Sequence, residues 1–231
     1  MKTSKTRNEN VRRELLTSAA DLHVREAGEG EAPGRTISGY AILFNTPSEP
    51  IWDDEDGEAR EVISPEAVTR ELLDSSDIKM TMFHDRQLIL ARSNRGSGTL
   101  SYEIDGKGVR FEFEAPNTAD GDKALELVRR GDLAGCSFMF STYYWEPGFV
   151  DRESEVRDGR TFTTYTVRQI TGIYDFTLAA DPAYPATSVE AREFIEAAKA
   201  DGKPEDSEVN RRKINEQVRE MRRAANIKIF V

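Results

Sequence analysis

Apolar and polar residues alternate along much of this chain with a period of two. The clearest run is Arg110-Phe111-Glu112-Phe113-Glu114. Successive side chains of a strand point to opposite faces, so this run reads as a half-buried strand, aromatic rings inward and charges outward. Its hairpin partner is predicted over 98–104, with Asp105-Gly106-Lys107-Gly108 as the turn. Further strands are predicted over 21–26, 35–44, 78–83 and 137–145. Residues 86–91 continue as loop or strand, and 162–178 gives one or two strands broken near Gly172.

Other stretches change period. Ser64 followed by Pro65 suits the cap and first turn of a short helix reaching about residue 73. Thr118 or Asp120 caps a second helix to about 130, with Leu125, Leu127 and Val128 as its apolar surface and Gly131 as its end. A third is predicted over 188–200, carrying Val189, Phe194 and Ile195. Residues 27–34 are turn-rich, 45–57 form an acidic loop with Pro47 and Pro50, and 148–160 read as a long charged loop.

Residues 1–20 are polar, with a helix-like patch at Val11-Arg12-Arg13-Glu14-Leu15-Leu16, and are expected to be partly mobile. The chain thus divides into an N-terminal segment (1–20), one domain (21–200), and a linker with a basic C-terminal segment (201–231). Many short strands with three or four helices between them predict an α+β fold, a mostly antiparallel β-barrel surrounded by helices.

Composition narrows the function classes. The 231 residues suffice for a sizeable core, and 38% are hydrophobic against 32% charged. No apolar run approaches the ~20 residues that span a bilayer. The basic N-terminus is followed by no apolar stretch, so neither a membrane partner nor a secretory signal is expected. A single cysteine excludes an internal disulfide framework and suits a reducing cytoplasm. The net charge of −10 argues against general nucleic-acid binding. From Glu208 to Val231, however, seven basic residues face three acidic ones, a net +4 that leaves −14 on residues 1–207. That segment reads as a solvated helix face or as a tail that docks on an acidic surface.

The chemistry-bearing residues are few. There are two histidines. His84, after the apolar run Met80-Thr81-Met82-Phe83, precedes by 53 residues a serine, Ser137, in Gly131-Asp132-Leu133-Ala134-Gly135-Cys136-Ser137-Phe138-Met139-Phe140. A further 38 residues on, Asp175 lies in a strand-like run. Histidine, serine and a carboxylate are the residue types of acyl-transfer catalysis, in which a base activates the hydroxyl and a third group orients the base.

Cys136 is the rival nucleophile, but adjacent strand residues face opposite ways and only one can meet a groove. Asp85 is a poor orienter of its neighbour His84 for the same reason, and Glu190 is a weaker candidate for that role than Asp175. His23 and Ser141 read as structural. Two histidines and one cysteine predict no metal site, and no glycine-rich phosphate loop implies a cofactor. Arg92 or Arg95 are candidates to assist at an oxyanion.

Several segments together resemble a known family. They are Ile37-Ser38-Gly39-Tyr40-Ala41-Ile42-Leu43-Phe44-Asn45, Glu61-Val62-Ile63-Ser64-Pro65-Glu66-Ala67-Val68, Phe83-His84-Asp85, Gly98-Thr99-Leu100, Gly108-Val109, Leu127-Val128-Arg129-Arg130-Gly131-Asp132-Leu133, Gly135-Cys136-Ser137-Phe138, and Asp175-Phe176-Thr177-Leu178 with Asp181-Pro182-Ala183-Tyr184-Pro185. In order and spacing they resemble the prohead (procapsid) maturation proteases of tailed phages, over about residues 35–195. Two positions depart from the pattern: Asp175 stands where glutamate is usual, and Met139 where glycine often follows the phenylalanine.

The resemblance implies a serine endopeptidase with a fold similar to the herpesvirus capsid-maturation protease. It implies Ser137 as nucleophile, His84 as general base then acid, and Asp175 as orienting group. Substrates would be capsid and scaffolding proteins and the protease itself, cleaved in the host cytoplasm inside the assembling prohead. A homo-oligomer is expected, with dimerisation suggested by the herpesvirus-like relatives. The acidic loop at 45–57 is expected over the site. Two other readings fit the same residues: an inactive assembly factor that binds capsid protein through its basic tail, and a protease–scaffold fusion.

Overall fold

A computed structural model describes residues 11–17, 20–25 and 34–180. The expectations for the helix at 188–200, for Glu190 and for the segment 201–231 lie outside the described residues. In chain order the strands are β1 (Val11–Thr17), β2 (His23–Val24), β3 (Thr36–Leu43), β4 (Trp52–Asp54), β5 (Gly57–Ile63), β6 (Asp77–Met82), β7 (Asp85–Asn94), β8 (Ser97–Gly98), β9 (Leu100–Ile104), β10 (Gly108–Glu114), β11 (Gly135–Thr142), β12 (Val150–Arg157), β13 (Arg160–Val167) and β14 (Gly172–Ala179). The helices are α1 (Arg70–Ser75) and α2 (Ala119–Arg130), and a 3₁₀ turn spans Pro65–Ala67.

The strands form three sheets, in the orders β1-β11-β14-β6-β7-β8, β2-β3-β10-β9 and β12-β13-β5-β4. Each keeps two edges, so the expected closed barrel is not formed, and the two described α-helices do not surround one. Two pairings, β14 with β6 and β13 with β5, are parallel rather than antiparallel. Alternation along a sequence tells which face of a strand is buried, not which strand lies beside it.

The core is built from the apolar positions that alternation marks. Phe111 and Phe113 of β10, Phe138 and Phe140 of β11, and Phe176 of β14 are all buried in one cluster, which also takes in Leu73, Ile78, Met80 and Leu125. The expected hairpin forms between β9 and β10, with Val109 opposite Ile104 and Phe113 opposite Leu100, while Gly98 lies in β8 and pairs with β7 instead. Helix α2 also follows expectation. Thr118 caps it by accepting the Gly121 N–H at 3.2 Å, and Gly131 ends it in the left-handed region at φ 78°. Asp120 and Asp122 sit in its first turn and Arg129 and Arg130 in its last, complementing the helix dipole.

Four local expectations are corrected. The helix-like patch at 11–16 is strand β1, paired antiparallel with β11 throughout, and its Leu15 is buried in the main core; tertiary pairing overrides local propensity. The charged run at 148–160 contains strand β12, hydrogen-bonded to β13 but exposed along nearly its whole length, so no alternation betrays it. The acidic run at 45–57 contains β4 and is stitched to β5, with Ser48 and Ile51 donating to the carbonyls of Glu61 and Ala59. Ser64 does stand at the N-cap position with Pro65 after it, but its side chain makes no cap bond and the element is a single 3₁₀ turn; the α-helix, α1, follows separately under a Thr69 cap.

Candidate active site

The site sits where three neighbouring strands of the six-stranded sheet meet a hairpin turn. On β11, Cys136, Phe138 and Phe140 face the core, which turns Ser137 and Met139 to the opposite face. Across the ladder Ser137 pairs with Thr177 of β14, and Met139 with Asp175. The next pair is Phe140 with Ile173, so β14 carries one extra residue, Tyr174. That bulge explains how Ile173 lies in the core while Asp175, two residues on, shares a face with Ser137; an inserted residue re-aims the side chains beyond it.

The histidine arrives from the far side of β14. Strands β6 and β7 join through a two-residue turn, Phe83-His84, closed by the pair Met82–Asp85. Both turn residues are left-handed, with φ of 57° and 55°. This is the geometry of a tight hairpin turn that normally favours Asn-Gly. Non-glycine residues pay about 1–2 kcal/mol each for that conformation. Three hydrogen bonds oppose the strain. Phe83 donates its N–H to the Leu178 carbonyl at 3.1 Å, His84 donates its N–H to Thr177 Oγ1 at 2.9 Å, and Thr81 Oγ1 donates to Thr177 Oγ1 at 2.9 Å.

The structure brings all three predicted residues together. His84 Nδ1 lies 2.8 Å from Asp175 Oδ1, and His84 Nε2 lies 2.9 Å from Ser137 Oγ. A carboxylate only accepts, so Nδ1 carries the proton of the neutral ring and Nε2 is left as the acceptor facing the hydroxyl. Asp175 is 5% exposed at its side chain and His84 19%, so the pair is shielded without being sealed.

The other candidates fall away from this centre. The Cys136 thiol is fully buried, and burial pushes its pKa up, which keeps it a neutral core group. Asp85 accepts the Gln87 N–H at 2.8 Å and serves the turn. His23 is exposed, with contacts to the Asp21 carbonyl and to Ser38 Oγ. Ser141 bonds to the hydroxyls of Thr171 and Tyr174. Arg92 grips the Asp77 carboxylate in a two-pronged contact at 2.6 and 2.8 Å, at the end of β6 remote from His84, so it is not placed to meet an oxyanion. Arg95 occupies the turn between β7 and β8. Among the described residues no three His, Cys, Asp or Glu side chains gather as a metal site.

Two contributors escape the sequence reading. Thr177 holds the turn that carries His84; it lies in the family-resembling segment Asp175-Phe176-Thr177-Leu178, but nothing in the sequence attaches a role to it. Leu15 places its carbonyl oxygen 3.1 Å from Ser137 Oγ, from a segment expected to be mobile.

Serine, histidine and carboxylate in line are the groups that acyl-transfer chemistry uses. A family model described as caudovirus prohead serine protease matches residues 20–201, and the chain belongs to that family. No curated protein gives a match. Among solved structures, the bacteriophage T4 capsid assembly protease gp21 is similar at 10% identity and a TM-score of 0.38, over 72% of this chain and 98% of that one.

Proposed function

We propose that this prohead protease is a serine endopeptidase that works through Ser137, His84 and Asp175. The observation that carries the assignment is the unbroken line from Asp175 Oδ1 to His84 and on to Ser137 Oγ, with both contacts below 3 Å. Ser137 Oγ attacks the carbonyl carbon of a peptide bond while His84 Nε2 takes its proton. The tetrahedral adduct collapses to an acyl-enzyme, and His84 returns the proton to the departing amine. Water then repeats the sequence, with His84 as base, and frees the acid. Asp175 fixes the ring tautomer and stabilises the imidazolium between the two steps.

The substrates we assign are scaffolding protein or the scaffolding segment of the capsid protein, together with the chain itself. Family membership supports this, since proteolysis within a prohead acts on what the prohead contains. The test is intact mass of the wild-type chain and of Ser137→Ala, each incubated alone and with the scaffolding protein. Fragments that appear with wild type and vanish with Ser137→Ala are expected. Cleavage that persists in the variant would remove Ser137 from the role.

A further inference from the structure

Strand β1 lies along β11 at the edge of the six-stranded sheet, in antiparallel register from Val11 opposite Thr142 to Thr17 opposite Cys136. Leu16 stands opposite Ser137 itself. Without β1, β11 would be an edge strand offering unpaired N–H and C=O groups on both sides of Ser137, the template on which an extended peptide adds as a further strand. β1 already fills that template. Its Leu15, opposite Phe138, is buried in the main apolar cluster and anchors it.

The contact at the serine is unproductive. A hydroxyl has one proton to give. Ser137 Oγ has two acceptors within reach, His84 Nε2 at 2.9 Å and the Leu15 carbonyl at 3.1 Å. A proton directed to Leu15 is not directed to the base. Ser137 is only 6% exposed under this cover, too little for a protein substrate to reach it. The residues shared with the family begin at 20, so the covering strand lies outside the matched span.

Resting on the serine-peptidase reading above, we propose that Val11–Thr17 is a resident pseudosubstrate. It occupies the edge of β11 on which substrate pairs as an antiparallel strand with a large aliphatic side chain opposite Phe138, and catalysis requires it to leave. As an edge strand, β1 can detach with the loss of one ladder while the rest of the sheet stands.

The test is the rate at which a fluorophosphonate labels Ser137 in the full chain, read by intact mass and peptide mapping, for wild type, Leu15→Asp and the milder Leu15→Ala. A carboxylate at a buried anchor drives the strand off. Raising the competent fraction should speed labelling at least about tenfold in Leu15→Asp, with a smaller rise in Leu15→Ala. A synthetic peptide of residues 11–17 should slow Leu15→Asp again. Equal rates in wild type and in variants that keep the wild-type circular dichroism would overturn the pseudosubstrate proposal and leave Ser137 as nucleophile. Absence of labelling at Ser137 in every folded form would overturn the serine-peptidase reading, and this proposal with it.

Discussion

Thr177 Oγ1 accepts the backbone N–H of His84 at 2.9 Å, across 93 residues of sequence. Thr177 is fully buried, pairs with Ser137 on one side and with Thr81 on the other, and so ties both catalytic candidates to one strand. Thr177→Val keeps the shape and removes the acceptor. It should cost about 1–3 kcal/mol of stability, the usual penalty for stranding a buried polar partner. It should also lower kcat by roughly 10²-fold with little change in KM, because a misplaced base slows chemistry more than binding. Thr177→Ser, which retains the hydroxyl, should recover most of the rate. An unchanged kcat in Thr177→Val would confine the residue to packing.

Asp175 contributes a pure acceptor to His84 Nδ1, so Asp175→Asn replaces it with a group that can also donate and can select the wrong tautomer. Activity should fall on the order of 10³–10⁴-fold. The apolar face of β14 is untouched, so the thermal midpoint should stay close to wild type. Steady-state kinetics beside a melting curve would check both halves. Unchanged activity would move the orienting role to another group.

Left-handed Phe83 is half-exposed and adopts a conformation that asparagine tolerates far better than an aromatic residue does. Phe83→Asn should therefore stabilise the fold by about 0.5–1 kcal/mol, part of the strain expected at such a position. The observable is a higher urea midpoint at unchanged slope. A lower midpoint would mean that the Phe83 ring contributes more through its contacts than its backbone costs.

The three candidate residues stand out in the sequence only through the family resemblance, whereas the hairpin of β9 and β10 and both ends of α2 were legible from local pattern. The convergence of the three residues was not. His84 reads as the end of an apolar strand, yet it is the second residue of a turn with the wrong composition for its type, held there by Thr177 from another strand. Asp175 has the same parity as the core residue Ile173, and only the extra residue Tyr174 separates their faces. A strict period of two cannot show a bulge. Leu15 and its strand carry no strong local signal, because the pairing that makes β1 a strand comes from β11. The three-sheet arrangement depends likewise on strand neighbours far apart in sequence.

The role of Ser137 is tested most directly by exhaustive labelling of the folded chain with a fluorophosphonate, followed by mapping of the modified residue, in wild type and in His84→Gln. One adduct is expected, on Ser137 and dependent on His84, with the buried Cys136 unmodified. An adduct elsewhere, or a folded chain that cleaves scaffolding protein while Ser137 stays unmodified, would contradict it.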